Sequence, residues 1–307
     1  MQYFEELKKQ RYGDYKDAHM GYCPASCGEI IQGNLTDGEF LTSYTINKFS
    51  TVLIKRDNLN IRPRCSQKTI LAVENFFEDF GERNELKDIS IYINSDIPRS
   101  KGMSSSTADI GAALGACMSY LNITLDSEDL TKRAAKIEPT DSIYYENLTY
   151  INPLTGNKIE DIGKLSDLDV IILEPDETVE TSDMRKISSY EDYKSKNINT
   201  YKEIFKNLKD SIEKNDMKKM GETAIKSAFL NQKLLYKPHL EDIVEASLLS
   251  GAFGVNIAHS GSVLGILLSE YNNKNHLYNN LSKEIKEYYN KMYTVKIIKG
   301  GIGFGKL

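Results

Sequence analysis

The stretch Pro98-Arg99-Ser100-Lys101-Gly102-Met103-Ser104-Ser105-Ser106-Thr107-Ala108 decides how this chain is read. It follows DISIYIN at 88–94, which alternates apolar and polar residues as a half-buried strand does. It leads into residues 104–121, where Ile110, Ala113, Leu114, Cys117 and Leu121 fall on one helical face. Strand, Gly/Ser loop and helix in that order suit an anion: small residues let backbone N–H groups approach it, and the helix N-terminus adds unpaired amides and a positive dipole. A run of serines before a helix also reads as a simple cap, so the loop needs support from elsewhere in the chain.

Working outward, residues 39–55 are rich in Thr, Val, Ile and Tyr around a polar break at Asn47–Lys48, the pattern of paired strands. Residues 68–80 repeat apolar side chains at helical spacing, a second helix is predicted from Ser127 to about Ile137, and 138–165 reads as loop and short strands. A buried strand follows at 167–175, then a polar segment at 176–197, lysine-rich helices to about Tyr236 and a helix with Pro238 near its start. FGVNIAH, the run VLGILL, a long helix over 273–292 and a last strand, YTVKIIK, complete the pattern. Strands and helices alternate in both halves, which predicts an α+β protein of two layered domains, divided as 1–165 and 166–307.

At 307 residues, 40% hydrophobic and 27% charged, the chain has the composition of a folded globular protein with a sizeable core. Its net charge of −5 and its alternating lysines and acids argue against nucleic-acid or membrane-surface partners. No run approaches the ~18 apolar residues of a membrane span, and the start lacks the apolar core of a secretion signal, so a cytoplasmic location is expected. Cys23, Cys27, Cys65 and Cys117 form no C-x-x-C pair and read as reduced packing residues.

Two rival phosphate motifs fail. Gly300-x4-Gly305-Lys306 has the P-loop spacing, but Leu307 stands where Ser or Thr is required and no helix follows. The same GGIGFG tail lacks the spacing of a dinucleotide fingerprint.

Pro98, Gly102, Ser105, Ser106 and Ala108 match the hallmark P-x-x-x-G-L-G-S-S-A-A of the GHMP kinases, which the chain resembles; Met103, Ser104 and Thr107 depart from it while staying small or apolar. CPASCGEIIQG at 23–33 and GAFGVNIAHSGSVLGILL at 251–268 resemble that family's N-terminal and C-terminal motifs. With IEPTDS, the four segments in order are similar to the branch of the family that phosphorylates L-threonine in adenosylcobalamin synthesis. The resemblance implies the GHMP kinase fold, an N-terminal domain like domain 2 of ribosomal protein S5 plus a ferredoxin-like C-terminal domain. It also implies ATP and Mg²⁺ as cofactors and small-molecule partners, with a homodimer left open.

The resemblance distributes roles as follows. Pro98 and Lys101 through Ala108 would hold the nucleotide, with Ser106 at the magnesium and in the catalytic set; Lys101 reads either as a mobile charge for the phosphates or as a solvated loop lysine. Asp141 corresponds to the aspartate near the acceptor hydroxyl, either taking its proton or orienting it, though Asp beside Pro139 also suits a plain turn. Glu138 would bind either the metal or the substrate ammonium. Ser26 and Glu29 would contact the acceptor; sugar and mevalonate kinases carry Arg or Lys at the position of Ser26, and Glu29 suits an amino-acid ammonium. His259 reads either as a donor to a phosphate or carboxylate or as a packed ring, and Ser260, Gly261 and Ser262 as a turn near the ligands, with Asn256 a weaker candidate. The acceptor so implied is the side-chain hydroxyl of L-threonine, with homoserine, serine or mevalonate as alternatives, and a nucleotide-binding protein without transferase activity as a further one.

Overall fold

Two long strands joined by a tight turn organise the fold, and the helices pack where their apolar faces meet them. The computed structural model describes residues 3–12, 15–57, 59–165, 168–177, 190–269 and 274–307. In chain order these form α1 (Phe4–Tyr12), β1 (His19–Leu35), β2 (Gly38–Arg56), α2 (Gln67–Asp79), β3 (Ile89–Ser95), α3 (Ser105–Leu121) and α4 (Ser127–Ala135). Next come β4 (Leu148–Ile151), β5 (Lys158–Gly163), β6 (Asp169–Glu174), α5 (Tyr190–Lys196), α6 (Ile198–Glu213), α7 (Met217–Gln232) and α8 (Leu240–Leu249). The last are β7 (Gly254–Ile257), β8 (Leu264–Leu268), α9 (Lys274–Asn280), α10 (Lys283–Tyr288), β9 (Lys291–Ile298) and β10 (Gly303–Lys306). The α/β content is mixed, and among the described residues no helix is long and apolar enough to cross a membrane.

The strands run in the order β10-β1-β7-β8-β6-β9-β2-β4-β5, with β3 on β2 and β1 also paired to β2. The path from β1 through β7, β8, β6 and β9 to β2 therefore returns to β1. What makes this possible is a bend in β1, where the register slips between Pro24 and Ala25 and twice more between Ser26 and Ile31. Gly28 sits in this bend at φ +68°, and a Cβ there would stand 2.6 Å from the Ile257 carbonyl oxygen, so only glycine fits. Immediately beyond it Glu29 pairs with Ile257 of β7, which brings the first motif against the last.

Helix α3 is buried along most of its length and rich in Ala and Gly, so strand β1 lies unusually close: a Cβ on Gly21 would stand 2.7 Å from the Gly115 carbonyl carbon. Helix α2 covers α3 with Phe76 and Phe77, both fully buried and each contributing about 2–3 kcal/mol of transfer free energy. The rigid placement of α3 fixes the loop in front of it.

Several sequence expectations are corrected. The break at Asn47–Lys48 is a bulge inside one continuous strand, where Ile46 pairs with Ala25 and Phe49 with Pro24; Asn47 turns outward to accept the Lys296 N–H at 2.8 Å. The helix expected over 273–292 is two short helices, α9 and α10, because Ser282 caps a new start by accepting the Ile285 N–H; residue 273 lies outside the described residues. The GFGK tail, read only as a failed motif, is strand β10 on β1. Part of the polar segment at 176–197 lies outside the described residues. The four cysteines are free, and burial raises their thiol pKa values, to about 12 for Cys27 and about 11 for Cys65, as packing residues require.

Candidate active site

The loop before α3 carries three left-handed residues in alternation, Ser100 at φ +58°, Gly102 at +80° and Ser104 at +56°. For the two serines this conformation costs about 1 kcal/mol or more each, and such strain collects at functional sites. The consequence lies in what Ser104 does not do. It occupies the N-cap of α3, yet its hydroxyl makes no capping bond; it pairs instead with the hydroxyl of Ser26 in the bend of β1. The first amides of α3 are thus left to an external anion rather than satisfied by the serine run. Ser26 is tied in a second time, through its own N–H to the Met103 carbonyl at 3.3 Å.

Asp141, at the N-cap of the short 3-10 turn Ser142–Tyr144, faces this helix start. One of its oxygens accepts from the Thr107 hydroxyl at 3.5 Å, and the Ser104 hydroxyl also bonds to it. The turn is held by Ser142, whose hydroxyl accepts the Ser43 N–H at 2.9 Å, and by Tyr144, whose hydroxyl donates to the Thr107 carbonyl at 2.7 Å. Burial, then the neighbouring Glu29 carboxylate and more weakly Glu138, raise the Asp141 pKa from 3.8 to about 7, against the lowering effect of the two hydroxyls. A carboxyl that titrates near neutrality beside an uncapped helix start is suited to exchange a proton with a hydroxyl.

Glu138 carries a different signal. One carboxylate oxygen is paired with Lys68, while the other, Oε1, is buried without a hydrogen-bond partner. Such an orphan is costly unless something absent from the chain satisfies it. A magnesium ion fits: it takes hard oxygen ligands and usually binds through one or two protein groups plus phosphates and water. Among the described residues no group of three or more His, Cys, Asp or Glu could hold a metal ion. Ser105 and Ser106 form the first turn of α3 and are both partly exposed.

Other predicted residues take roles the sequence did not suggest. The ammonium of Lys101 is neither a mobile phosphate charge nor solvated: the residue is 5% exposed and donates to the carbonyls of Pro175, Asp176 and Glu177 at 2.6, 3.0 and 2.7 Å. It straps the loop to the end of β6, leaving only its backbone at the loop. The side chain of Met103 points into the core, where the Tyr293 hydroxyl reaches its sulfur at 3.6 Å, and Pro98 opens the loop with a ring that carries no polar group.

His259 is the packed ring rather than a ligand donor. Its Nδ1–H donates to Glu29 Oε2 at 3.1 Å, its backbone N–H to the same oxygen at 2.9 Å, and its Nε2 meets the Ser227 hydroxyl at 3.2 Å, so both ring nitrogens are occupied. Its work is to hold Glu29. Asn256, the weaker candidate, is likewise structural, bonding the Cys27 and Glu29 carbonyls and the Tyr44 hydroxyl. Gly261 packs on the loop before α3, where a Cβ at Gly102 would stand 2.8 Å from its Cα, and the Ser262 and Val263 amides donate to the Lys101 carbonyl. Ser260 is half-buried in that turn.

Sequence reasoning missed Lys237. It is 2% exposed, it precedes α8, and its ammonium donates to the Gly261 carbonyl at 2.6 Å. Its only signal in the sequence is position: a lysine between Leu234-Leu235-Tyr236 and Pro238, rather than among the alternating charges upstream. Asp109 was also missed; its carboxylate accepts from Ser50 at 2.6 Å and from Arg99 at 3.2 Å and braces the loop from the other side.

Comparison with known proteins shows which family this fold and loop belong to. The family model for the GHMP kinases N terminal domain matches residues 67–143. An L-threonine kinase of Citrobacter freundii is 32% identical over 247 residues, covering 80% of this chain and 85% of that protein. An L-threonine kinase of Salmonella typhimurium is 29% identical over 289 residues, with 91% and 93% covered. Among solved structures, mevalonate kinase of Methanococcus jannaschii superposes with a TM-score of 0.68 at 18% identity, over 92% of this chain and 98% of that one. The chain belongs to the GHMP kinase family.

Proposed function

We propose that the protein transfers the γ-phosphoryl group of ATP to the side-chain hydroxyl of L-threonine, giving O-phospho-L-threonine and ADP, as a supply step for cobalamin synthesis. The observation that carries the transfer chemistry is the junction of Asp141 with the uncapped start of α3, through Ser104 and Thr107. The likeness to the two L-threonine kinases supports the acceptor. Ser26, which is no cation, and Glu29, a buried carboxylate, favour an acceptor with its own ammonium over a sugar or mevalonate.

In this reading the loop amides from Gly102 to Thr107 bind the phosphates, and Asp141 orients the acceptor hydroxyl and receives its proton as the bond to phosphorus forms. Magnesium, when bound, would be held by Glu138 Oε1 and the Ser106 hydroxyl and would neutralise phosphate charge. The division near residue 165 into an S5-like and a ferredoxin-like domain, with a cytoplasmic location, belongs to the same proposal. A coupled ADP-release assay across L-threonine, L-serine, L-homoserine and mevalonate tests it. Turnover highest with L-threonine is expected, and a preference for homoserine or mevalonate would sink the acceptor assignment. ATP binding without ADP release for any acceptor would sink the kinase reading.

A further inference from the structure

Lys237 presents an unresolved charge. Its side chain is buried, a lysine ammonium carries three donors, and the Gly261 carbonyl takes one of them. No other hydrogen bond or ion pair reaches the ammonium among the described residues. The backbone around it is fixed by two hydrogen bonds with Gln232, whose side chain accepts the Lys237 N–H at 2.7 Å and donates to its carbonyl at 2.9 Å, so the placement is built rather than incidental. Burial lowers the Lys237 pKa to about 7, and the one charge that works in the other direction is Glu29. Glu29 and Lys237 therefore feel each other without touching, each held by other groups, the carboxylate by His259 and the ammonium by Gly261.

A pair of opposite charges held apart at the edge of an active site is complementary to a zwitterion. Two anions are available in the proposed reaction, a phosphate and the carboxylate of an amino acid. A phosphate is already served by the α3 amides and brings nothing for Glu29, whereas an amino acid brings an ammonium for Glu29 together with a carboxylate for Lys237. We infer that Lys237 is a specificity-determining residue that binds the α-carboxylate of the acceptor, opposite Glu29 on its ammonium. This rests on the amino-acid acceptor proposed above and adds the group that would distinguish amino acids from neutral alcohols.

The test compares kcat/KM for L-threonine and for L-threoninamide, which has the same size but no carboxylate, in the wild type, Lys237→Met and Lys237→Arg. The wild type should favour L-threonine about 10- to 100-fold, the range for a charge-assisted hydrogen bond. Lys237→Met should lose that factor for L-threonine alone and keep the amide within about threefold, while the KM for ATP stays within about threefold. Lys237→Arg should retain part of the preference. Replacing a buried ammonium by an apolar chain is commonly tolerated in folding, and the wild-type ratio is informative without any variant. A preference that survives in Lys237→Met, an equal loss for both acceptors, or a rise confined to the KM for ATP would overturn the inference while leaving a threonine kinase in place. Absence of turnover with any amino acid would overturn the proposed function and the inference together.

Discussion

Substituting Asp141 by Asn should make the protein more stable and nearly inactive, and the stability gain should depend on pH. The native carboxyl holds its proton up to about pH 7, while in the unfolded chain it ionises from 3.8. The raised folded pKa means the native state binds more protons between these values, so Asp141 destabilises progressively as pH rises through that window and by a constant amount above it. The rise from 3.8 to about 7, at about 1.36 kcal/mol for each tenfold change in proton affinity, sets a ceiling of about 4 kcal/mol. Asparagine avoids the ionisation but must seat an amide between Thr107 and Ser104, so a gain of about 1–3 kcal/mol at pH 8 is expected, raising Tm by about 2–6 °C, and none below about pH 4. The assay is thermal unfolding of both forms at pH 5 and pH 8 alongside steady-state kinetics, where kcat should fall about 10²- to 10⁴-fold with little change in the KM for ATP. An Asn variant less stable at pH 8, or a gain equal at both pH values, would refute the account of a carboxyl poised by its surroundings.

Ser106→Ala should raise the magnesium concentration needed for half-maximal rate about 10-fold, read from a metal titration at saturating ATP; an unchanged requirement would remove Ser106 from the metal site. The pH profile of kcat/KM for the acceptor should be a narrow bell centred near neutrality, rising as Asp141 loses its proton and falling as Lys237 loses its own, both from about 7; an acid limb near pH 4 would contradict the Asp141 assignment. Lys101→Met should cost about 2–4 kcal/mol in chemical denaturation and raise the KM for ATP, because three carbonyls lose their partner and the loop loses its strap; a variant as stable as the wild type would make that strap irrelevant.

Elements marked off by an apolar run or period between turn residues were legible in the sequence, whether one face is buried, as in α2 and α4, or nearly all of the element is, as in α3 and β6. Helices α2, α3 and α4 and strands β3 and β6 follow from apolar period and turn residues, and each lies within a few residues of its expected place. Strand β1 was not legible as 17 residues of strand, since it is buried on both faces and carries Pro24, Gly21, Gly28 and Gly33, which read locally as interruptions. Strand β10 has no β-branched residue and exists because β1 offers it an edge. The site divides in the same way. The serine loop, Ser26, Glu138 and Asp141 were readable because their motifs are local, whereas the roles of Lys101, His259 and Lys237 depend on partners 74 to 76, 230 and 24 residues away.

The central claim is tested most directly by following the phosphorus. ATP incubated with the protein, magnesium and an equimolar mixture of L-threonine, L-homoserine and L-serine should yield O-phospho-L-threonine as the dominant new phosphomonoester in the ³¹P spectrum, identified against authentic product. A dominant O-phosphohomoserine signal, or inorganic phosphate with no phosphorylated amino acid, would contradict it.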